Sequence, residues 1–508
     1  MGPMNIQHLF KCARYAIAAV VLITGAGVVS ADPIEYNFGA VLGDSYSAEY
    51  QFAARRDNHR NFVEQLAFSG SRTESPNGGT SVTYGGIGAI TTDPPFSNSV
   101  PGYIWANTAS KPLPREDGFN LDLARSGATT FNAITGDWSD QGLSNDGRSQ
   151  LELALDLNSD TGGQWFAGGE GSSGDPLPGD NQLVNYHLIS LGVNDMDFVH
   201  SKSGNSVTQV QGDAVADAVF ANIKAIVEGG QYFRIDDSGS GPVVAAGVDT
   251  IGAVAPNSLP EGLLSSNITS AESGETQLVL STVVDLTLWP SRDSTGSEQK
   301  GDSNKAITEA STARLNEKLK DYAITKGVAL IDQQALLEDL MAGTVERTDV
   351  GVAGVRDAYL VDPANGLTTA MDKDGNTVAA IKLAGQKVII DPDVQEQDNN
   401  PANYLWADAS HVGSVYHGIL GNVFLTALEL AYGVEVTSDQ YLTFDEIFAT
   451  ADTADYTNGA TNLFGAADGG FNFDYAAYVT VIPEPGTAAL LLAGSGLILS
   501  AGRRRRAN

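Results

Sequence analysis

Between residues 32 and 433 the chain alternates short apolar runs with stretches of helical periodicity. Residues 38–42, 186–191, 277–284 and 328–331 are apolar runs of strand length. Helices are predicted over 58–68, 213–227, 306–326 and 414–432. In the second of these, Val215, Val219, Ile223, Ile226 and Val227 fall on one face. Strands separated by helices predict βαβ units, hence an α/β fold with a mostly parallel sheet covered on both faces.

Polar stretches interrupt the pattern. Residues 161–182 are rich in glycine, and 236–274 and 291–305 read as surface loops. Residues 343–401 read as a β-rich insertion, with Met371-Asp372-Lys373-Asp374-Gly375-Asn376 as a hairpin turn. Residues 436–480, rich in Asp, Ala, Gly and aromatics, are expected to form a C-terminal lobe or a spacer.

The two ends carry apolar runs of another kind. Lys11 and Arg14 precede the run 16–29, and Val29-Ser30-Ala31 offers small residues to signal peptidase. Residues 1–31 therefore read as a secretory signal peptide cut after Ala31; the alternative is a buried N-terminal helix. At the other end come Pro483-Glu484-Pro485, an apolar run over 488–501, and Arg503 to Arg506. The run is short for a spanning helix, which needs about 20 residues. Four arginines after it would keep that end on the cytoplasmic side. Residues 481–508 resemble the PEP-CTERM sorting signal of Gram-negative bacteria that make exopolysaccharide. The resemblance implies transient inner-membrane anchoring, an exosortase-type processing enzyme as partner, and a final place in the periplasm, cell surface or extracellular matrix. A plain C-terminal anchor is the alternative.

Composition sharpens this picture. The 508 residues allow a sizeable core. There are 29 basic against 62 acidic residues, a net charge of −33, which argues against nucleic acid or an anionic surface as partner. Removing 1–31 and 488–508 takes away six basic residues and no acid, leaving −39. Solubility in a salty exterior accounts for such acidity; an acidic patch for a cationic substrate is the other reading. Cys12 is the one cysteine and leaves with the signal peptide, so neither disulfides nor thiolate metal sites are expected in the mature chain.

Candidate chemistry begins where the run 38–42 ends in Gly43-Asp44-Ser45. A strand ending abruptly in a turn puts the Ser45 hydroxyl at the rim of a sheet, within reach of a substrate. Serine needs a base before it acts as a nucleophile. The tripeptide alone is weak, since Gly301-Asp302-Ser303 repeats it ahead of a helix. Asp408-Ala409-Ser410-His411 sets a carboxylate three residues before an imidazole. Asp408 could then hold Nδ1–H while Nε2 faces the serine. Alternatively, Asp408 caps the following helix and His411 is a surface residue. Donors to an oxyanion are offered by Asn194, after the run ending Leu191-Gly192-Val193, and by the backbone of Gly127 in Ser126-Gly127-Ala128. Each of these is otherwise an ordinary turn.

Taken in order, Ser45, Gly127, Asn194 and Asp408/His411 resemble the blocks of the SGNH, or GDSL, hydrolase family over about residues 36–430. The strand before Asp285-Leu286, the Asn316-Glu317-Lys318-Leu319 helix and His417 are further echoes. The resemblance implies a three-layer α/β/α sandwich of flavodoxin-like topology with loop and β insertions, here a domain over 32–435. It implies a Ser45-His411-Asp408 triad with Ser45, Gly127 and Asn194 as oxyanion hole. Esters of lipids, short acyl chains or acetylated sugars are the implied substrates. Three positions depart from the family pattern: Tyr46 stands where leucine is common, Ala48 where many members have Asp, and Val412 where proline often follows the histidine.

No Gly-x-Ser-x-Gly occurs, which argues against the other common serine-hydrolase elbow. No cofactor or metal is expected. Asp156-Leu157-Asn158-Ser159-Asp160 begins like a calcium loop, but Thr161 and Ala167 fill its glycine and final acidic positions. The expectation is therefore an exported serine esterase. The alternatives are a non-catalytic surface or matrix binding protein on the same fold, and an acyltransferase using the same triad.

Overall fold

The computed structural model describes residues 34–35, 39–47, 61–62, 65, 72–74, 82–84, 115–117, 120–122, 124, 127–137, 149–157, 186–202, 207–237, 241–246, 260–264, 277–289, 302–343, 346–349, 357–360, 367–371, 375–391, 403–408, 410–436, 441–451 and 473–480. Five parallel strands form its centre: β1 (Gly39–Gly43), β2 (Asn120–Asp122), β3 (Tyr186–Ser190), β4 (Gln277–Ser281) and β5 (Ala329–Ile331). They lie in the order β2-β1-β3-β4-β5. Arg115–Asp117 and Val479–Thr480 extend the sheet at its two edges, antiparallel to β2 and β5.

The strand order reverses between β1 and β3. In open α/β sheets, ligands bind in the crevice at the carboxyl ends of the strands beside such a switch point. Ser45 follows β1 there and Asn194 follows β3.

Apolar runs of this length suit a sheet covered on both faces. All five residues of β4 are buried, and the strand touches both α5 (Asp302–Lys326) and α7 (Ser414–Tyr432). Helix α4 (Gln209–Glu228) packs on α5. A side chain at Gly212 would run into Ser311 and Ile307, so glycine permits that close approach. Arg314 spans the pair, donating from Nε and Nη2 to Asp217 at 2.9 and 3.0 Å. Helix α7 is buried at every residue from Ser414 to Leu428, as an apolar helix must be when sheet and neighbouring helix cover different sides. Its other neighbour is α8 (Phe444–Ala451).

The four expected strands and the helices expected over 213–227, 306–326 and 414–432 match in place, most with shifts at their ends. Helix α4 begins at Gln209 because Thr208 and Gln211 form a capping box. Strand β4 stops at Ser281; residues 282–284 instead lead to a single helical turn, Leu286–Leu288, capped by Asp285. Asn316 brackets that stretch, accepting from Val283 N at 2.8 Å and donating to its carbonyl at 2.8 Å. Part of the loop expected over 236–274 is a hairpin. Phe233–Asp237 and Pro242–Ala246 pair antiparallel and pack on α4, burying Ile235. Strand β2 was hidden from the pattern by its polar ends and three-residue length. Of the helix expected over 58–68, only Asn61, Phe62 and Gln65 lie among the described residues.

Residues 367–404 include a second sheet, Leu367–Met371, Thr377–Leu383, Gln386–Ile389 and Asn403–Tyr404. Met371 lies opposite Thr377, and Gly375 takes φ +82°, which matches the expected hairpin turn. The strand Asn403–Tyr404 delivers the chain to the 405–413 loop. Val479–Thr480 pairs with Ile331 and Leu330, so the chain leaves Thr480 heading toward the amino ends of the parallel strands. Among the described residues no helix is long and apolar enough to cross a membrane. Both end segments and Cys12 lie outside the described residues.

Candidate active site

The Ser45 turn is held on several sides. Gln150, first residue of α2 (Gln150–Leu157), accepts from Gly43 N and donates to Gly43 O, both at 2.9 Å. Ser47 N donates back to Asp44 O at 3.1 Å, and Asn61 Nδ2 donates to Ser47 O at 2.7 Å. A Cβ on Gly43 would lie 2.7 Å from both Ser47 Cβ and Oγ, so position 43 has no room for a side chain. Asp44 Oδ1 accepts from Tyr46 N at 3.0 Å, and its carboxyl also takes the Val193 N–H. Burial pushes the Asp44 carboxyl up to about 7, the Asp195 charge adding to it and these N–H bonds opposing it. Ser45 itself is 7% exposed.

The Asp408/His411 pair sits on a closed loop. Trp406 bridges to Val412, Ala407 N donates to His411 O at 2.9 Å, and Gly413 N donates to Leu405 O at 2.6 Å. His411 Nδ1 lies 2.9 and 3.0 Å from the two carboxylate oxygens of Asp408. Asp408 Oδ1 also accepts from Ser410 N at 2.7 Å and His411 N at 3.0 Å. Helix α7 begins only at Ser414, after Gly413, and has no side-chain cap. Asp408 therefore serves the imidazole and its own loop rather than the helix.

Gly127 takes φ +79°, a conformation glycine adopts without strain, and leads to Thr129, which caps α1 (Thr130–Thr135). Across from it, Gly192 at φ +122° opens α3 (Val193–Asp197), where Val283 and Val219 leave no room for a Cβ. The two turns are tied together. Asn194 Nδ2 donates to Ala128 O at 3.0 Å, while Thr130 N and Oγ1 donate to Asp195 at 2.9 and 2.8 Å. A primary amide has two N–H donors, so Asn194 can anchor this loop and still offer a second hydrogen.

The carboxyl ends of β1 and β3 thus lead to Ser45 and Asn194 in segments joined through Asp44 and Val193, with Ala128, the residue after Gly127, held by Asn194. The 405–413 loop meets this group through Tyr46, whose ring centroid is 5.9 Å from that of His411. His417, the other histidine near α7's start, is fully buried against Phe62 and Tyr416. Burial, aided by His411, pushes it down to about 3, so it stays neutral and structural. A small cleft is lined by Asp44, Tyr46, Leu191, Val193, Val283 and Gln333. Among the described residues no group of three or more His, Cys, Asp or Glu could hold a metal. The calcium-like stretch continues from 158 outside the described residues.

Gln150 and Trp289 carry no motif, so nothing in the sequence marks them. Tyr46 is marked only by standing where leucine is common.

Residues 481–506 match the family model of the PEP-CTERM protein-sorting motif. The motif indicates an exported protein of a Gram-negative bacterium and implies processing by an exosortase-type enzyme. A search of curated proteins found no match to the chain.

Proposed function

We propose that the chain is an exported serine esterase of the SGNH, or GDSL, type. The observation that carries the reading is the Asp408–His411 pair lying against Tyr46, the residue after Ser45, at the carboxyl end of the parallel sheet. The strand order and the tied Gly127 and Asn194 segments support it, since Asn194 follows the strand beside β1 and its Nδ2 donates to Ala128 O, next to Gly127.

In this reading His411 Nε2 takes the Ser45 proton as Oγ bonds to the ester carbonyl carbon. The carbonyl π pair moves to oxygen, where the N–H groups of Ser45 and Gly127 and the Asn194 amide receive it. Asp408 keeps the proton on Nδ1 and stabilises the imidazolium. The C–O bond to the alcohol then breaks, and His411 returns the proton to the departing alkoxide. Water, deprotonated by His411, attacks the acyl-enzyme and releases the acid and Ser45.

A fluorophosphonate probe tests the assignment, because it labels an activated serine and not an ordinary hydroxyl. Wild type is expected to label, and Ser45→Ala to lose both labelling and hydrolysis of p-nitrophenyl acetate, by at least about 10⁴-fold in rate. Equal labelling of Ser45→Ala, or none of wild type, would sink the reading. Addition of an alcohol acceptor separates hydrolysis from acyl transfer.

A further inference from the structure

Tyr46 occupies the position beside the candidate nucleophile, and its side chain joins three segments far apart in sequence. Its hydroxyl accepts from Trp289 Nε1 at 2.6 Å and donates to Ser410 O at 3.1 Å. The direction is fixed by chemistry: an indole N–H only donates and a carbonyl oxygen only accepts. Trp289 follows the Leu286–Leu288 turn beyond β4, and its ring stacks near Tyr46 with centroids 6.5 Å apart. Ser410 lies between Asp408 and His411, and its own N–H already goes to Asp408 Oδ1. Both sides of Ser410 are thereby held, one by the carboxylate and one by Tyr46. Burial pushes the Tyr46 phenol well above its ordinary range, so the donor persists at any working pH.

We propose that Tyr46 is a positioning residue whose hydroxyl, oriented by Trp289, ties the Asp408–His411 loop to the Ser45 turn. The proposal rests on the esterase reading for its catalytic consequence, though not for the tie itself. A leucine at this position could pack against the imidazole but could not hold the Ser410 carbonyl. Misplacing a catalytic group by about 1 Å can cost on the order of 100-fold in rate, so a tie of this kind bears directly on turnover.

The test uses the full chain as Tyr46→Phe, Trp289→Phe and the double variant. Two readouts are taken: amide hydrogen exchange across 404–413, and steady-state hydrolysis of p-nitrophenyl acetate. Tyr46→Phe keeps the ring and loses the hydroxyl. Exchange at Ser410 and His411 is expected to accelerate at least about tenfold, with kcat down roughly 10- to 100-fold and KM within about twofold. Trp289→Phe is expected to give a smaller loss of kcat in the wild-type background and none in the Tyr46→Phe background, since the hydroxyl it orients is gone. Unchanged exchange and kcat in Tyr46→Phe would overturn the proposal, as would a Trp289→Phe loss of equal size in both backgrounds. Faster exchange in Tyr46→Phe, with a wild type that hydrolyses no ester, would keep the tie and sink the esterase reading instead.

Discussion

His411 Nδ1 is within hydrogen-bonding distance of both carboxylate oxygens of Asp408, at 2.9 and 3.0 Å. An ionised carboxylate only accepts, so Nδ1 carries the hydrogen and Nε2 is the basic nitrogen of the neutral ring. Asp408 is 2% exposed, and two backbone N–H groups fix its position before the imidazole is counted. The pair is therefore a rigid unit, and its parts can be tested one at a time.

Asp408→Asn changes charge and hydrogen-bond direction with little change in size. An amide NH₂ turned toward Nδ1 would favour the tautomer with hydrogen on Nε2, where the base is needed. Turnover is expected to fall about 10⁴-fold with KM little changed, as for the equivalent change in a serine protease triad. Measuring kcat and KM on p-nitrophenyl acetate checks this; a loss below about tenfold would overturn the role proposed for Asp408.

Asn194→Ala removes an amide that secures Ala128 and could donate to the oxyanion. The expected loss in kcat is about 10²- to 10³-fold, the usual consequence of deleting one such donor. The rate of fluorophosphonate labelling should fall in parallel, because that adduct also carries an oxygen in the hole. Full activity in Asn194→Ala would show that its bond to Ala128 is its whole role.

Buried titrating groups set the response of stability to pH. His187 and His417 are pushed down to about 3 by burial, against 6.5 in the unfolded chain. The unfolded state therefore takes up protons first, and their contribution is full above pH 6.5 and lost toward pH 3. Asp44 works oppositely: its value near 7 exceeds the unfolded 3.8, so its contribution is lost as pH rises from about 4 to 7. As pH falls from 6.5 the two histidines therefore withdraw stability, while Asp44 and Asp285, whose carboxyl is likewise raised by burial, offset part of that loss. Urea unfolding of His417→Gln at pH 5 and pH 6.5 should show a smaller difference than wild type. An undiminished difference would exclude His417 as a source of acid sensitivity.

Gly43→Ala tests the tightness of the Ser45 turn. The added methyl would lie 2.7 Å from Ser47 Cβ and Oγ and 3.2 Å from Ala124 Cβ. Overpacking of this kind costs about 1–3 kcal/mol, readable as a lower urea midpoint with an unchanged slope. Slower fluorophosphonate labelling should accompany it, since the shift falls two residues from Ser45. A midpoint equal to wild type would contradict the close approach of Gly43 to Ser47.

Much of this architecture was legible in the chain because it is encoded locally. The helix Ser414–Tyr432 follows from apolar density and a following glycine, and β3 and β5 from apolar runs close to their observed bounds. The three-residue spacing of Asp408 and His411 suffices to join them, since one short loop spans it. The sorting tail is likewise a linear signal, read without any fold.

What only the tertiary structure decided lies between residues distant in sequence. Gln150 grips Gly43 across 107 residues, Trp289 reaches Tyr46 across 243, and Tyr46 reaches Ser410 across 364. No periodicity encodes such contacts, because they depend on which strand ends lie side by side. The order β2-β1-β3-β4-β5 sets β1 beside β3, and the 405–413 loop is carried back to their carboxyl ends. The amino-acid sequence determined that Asp408 could hold His411; the sheet order and the reach of Tyr46 determined that this pair meets the turn after β1.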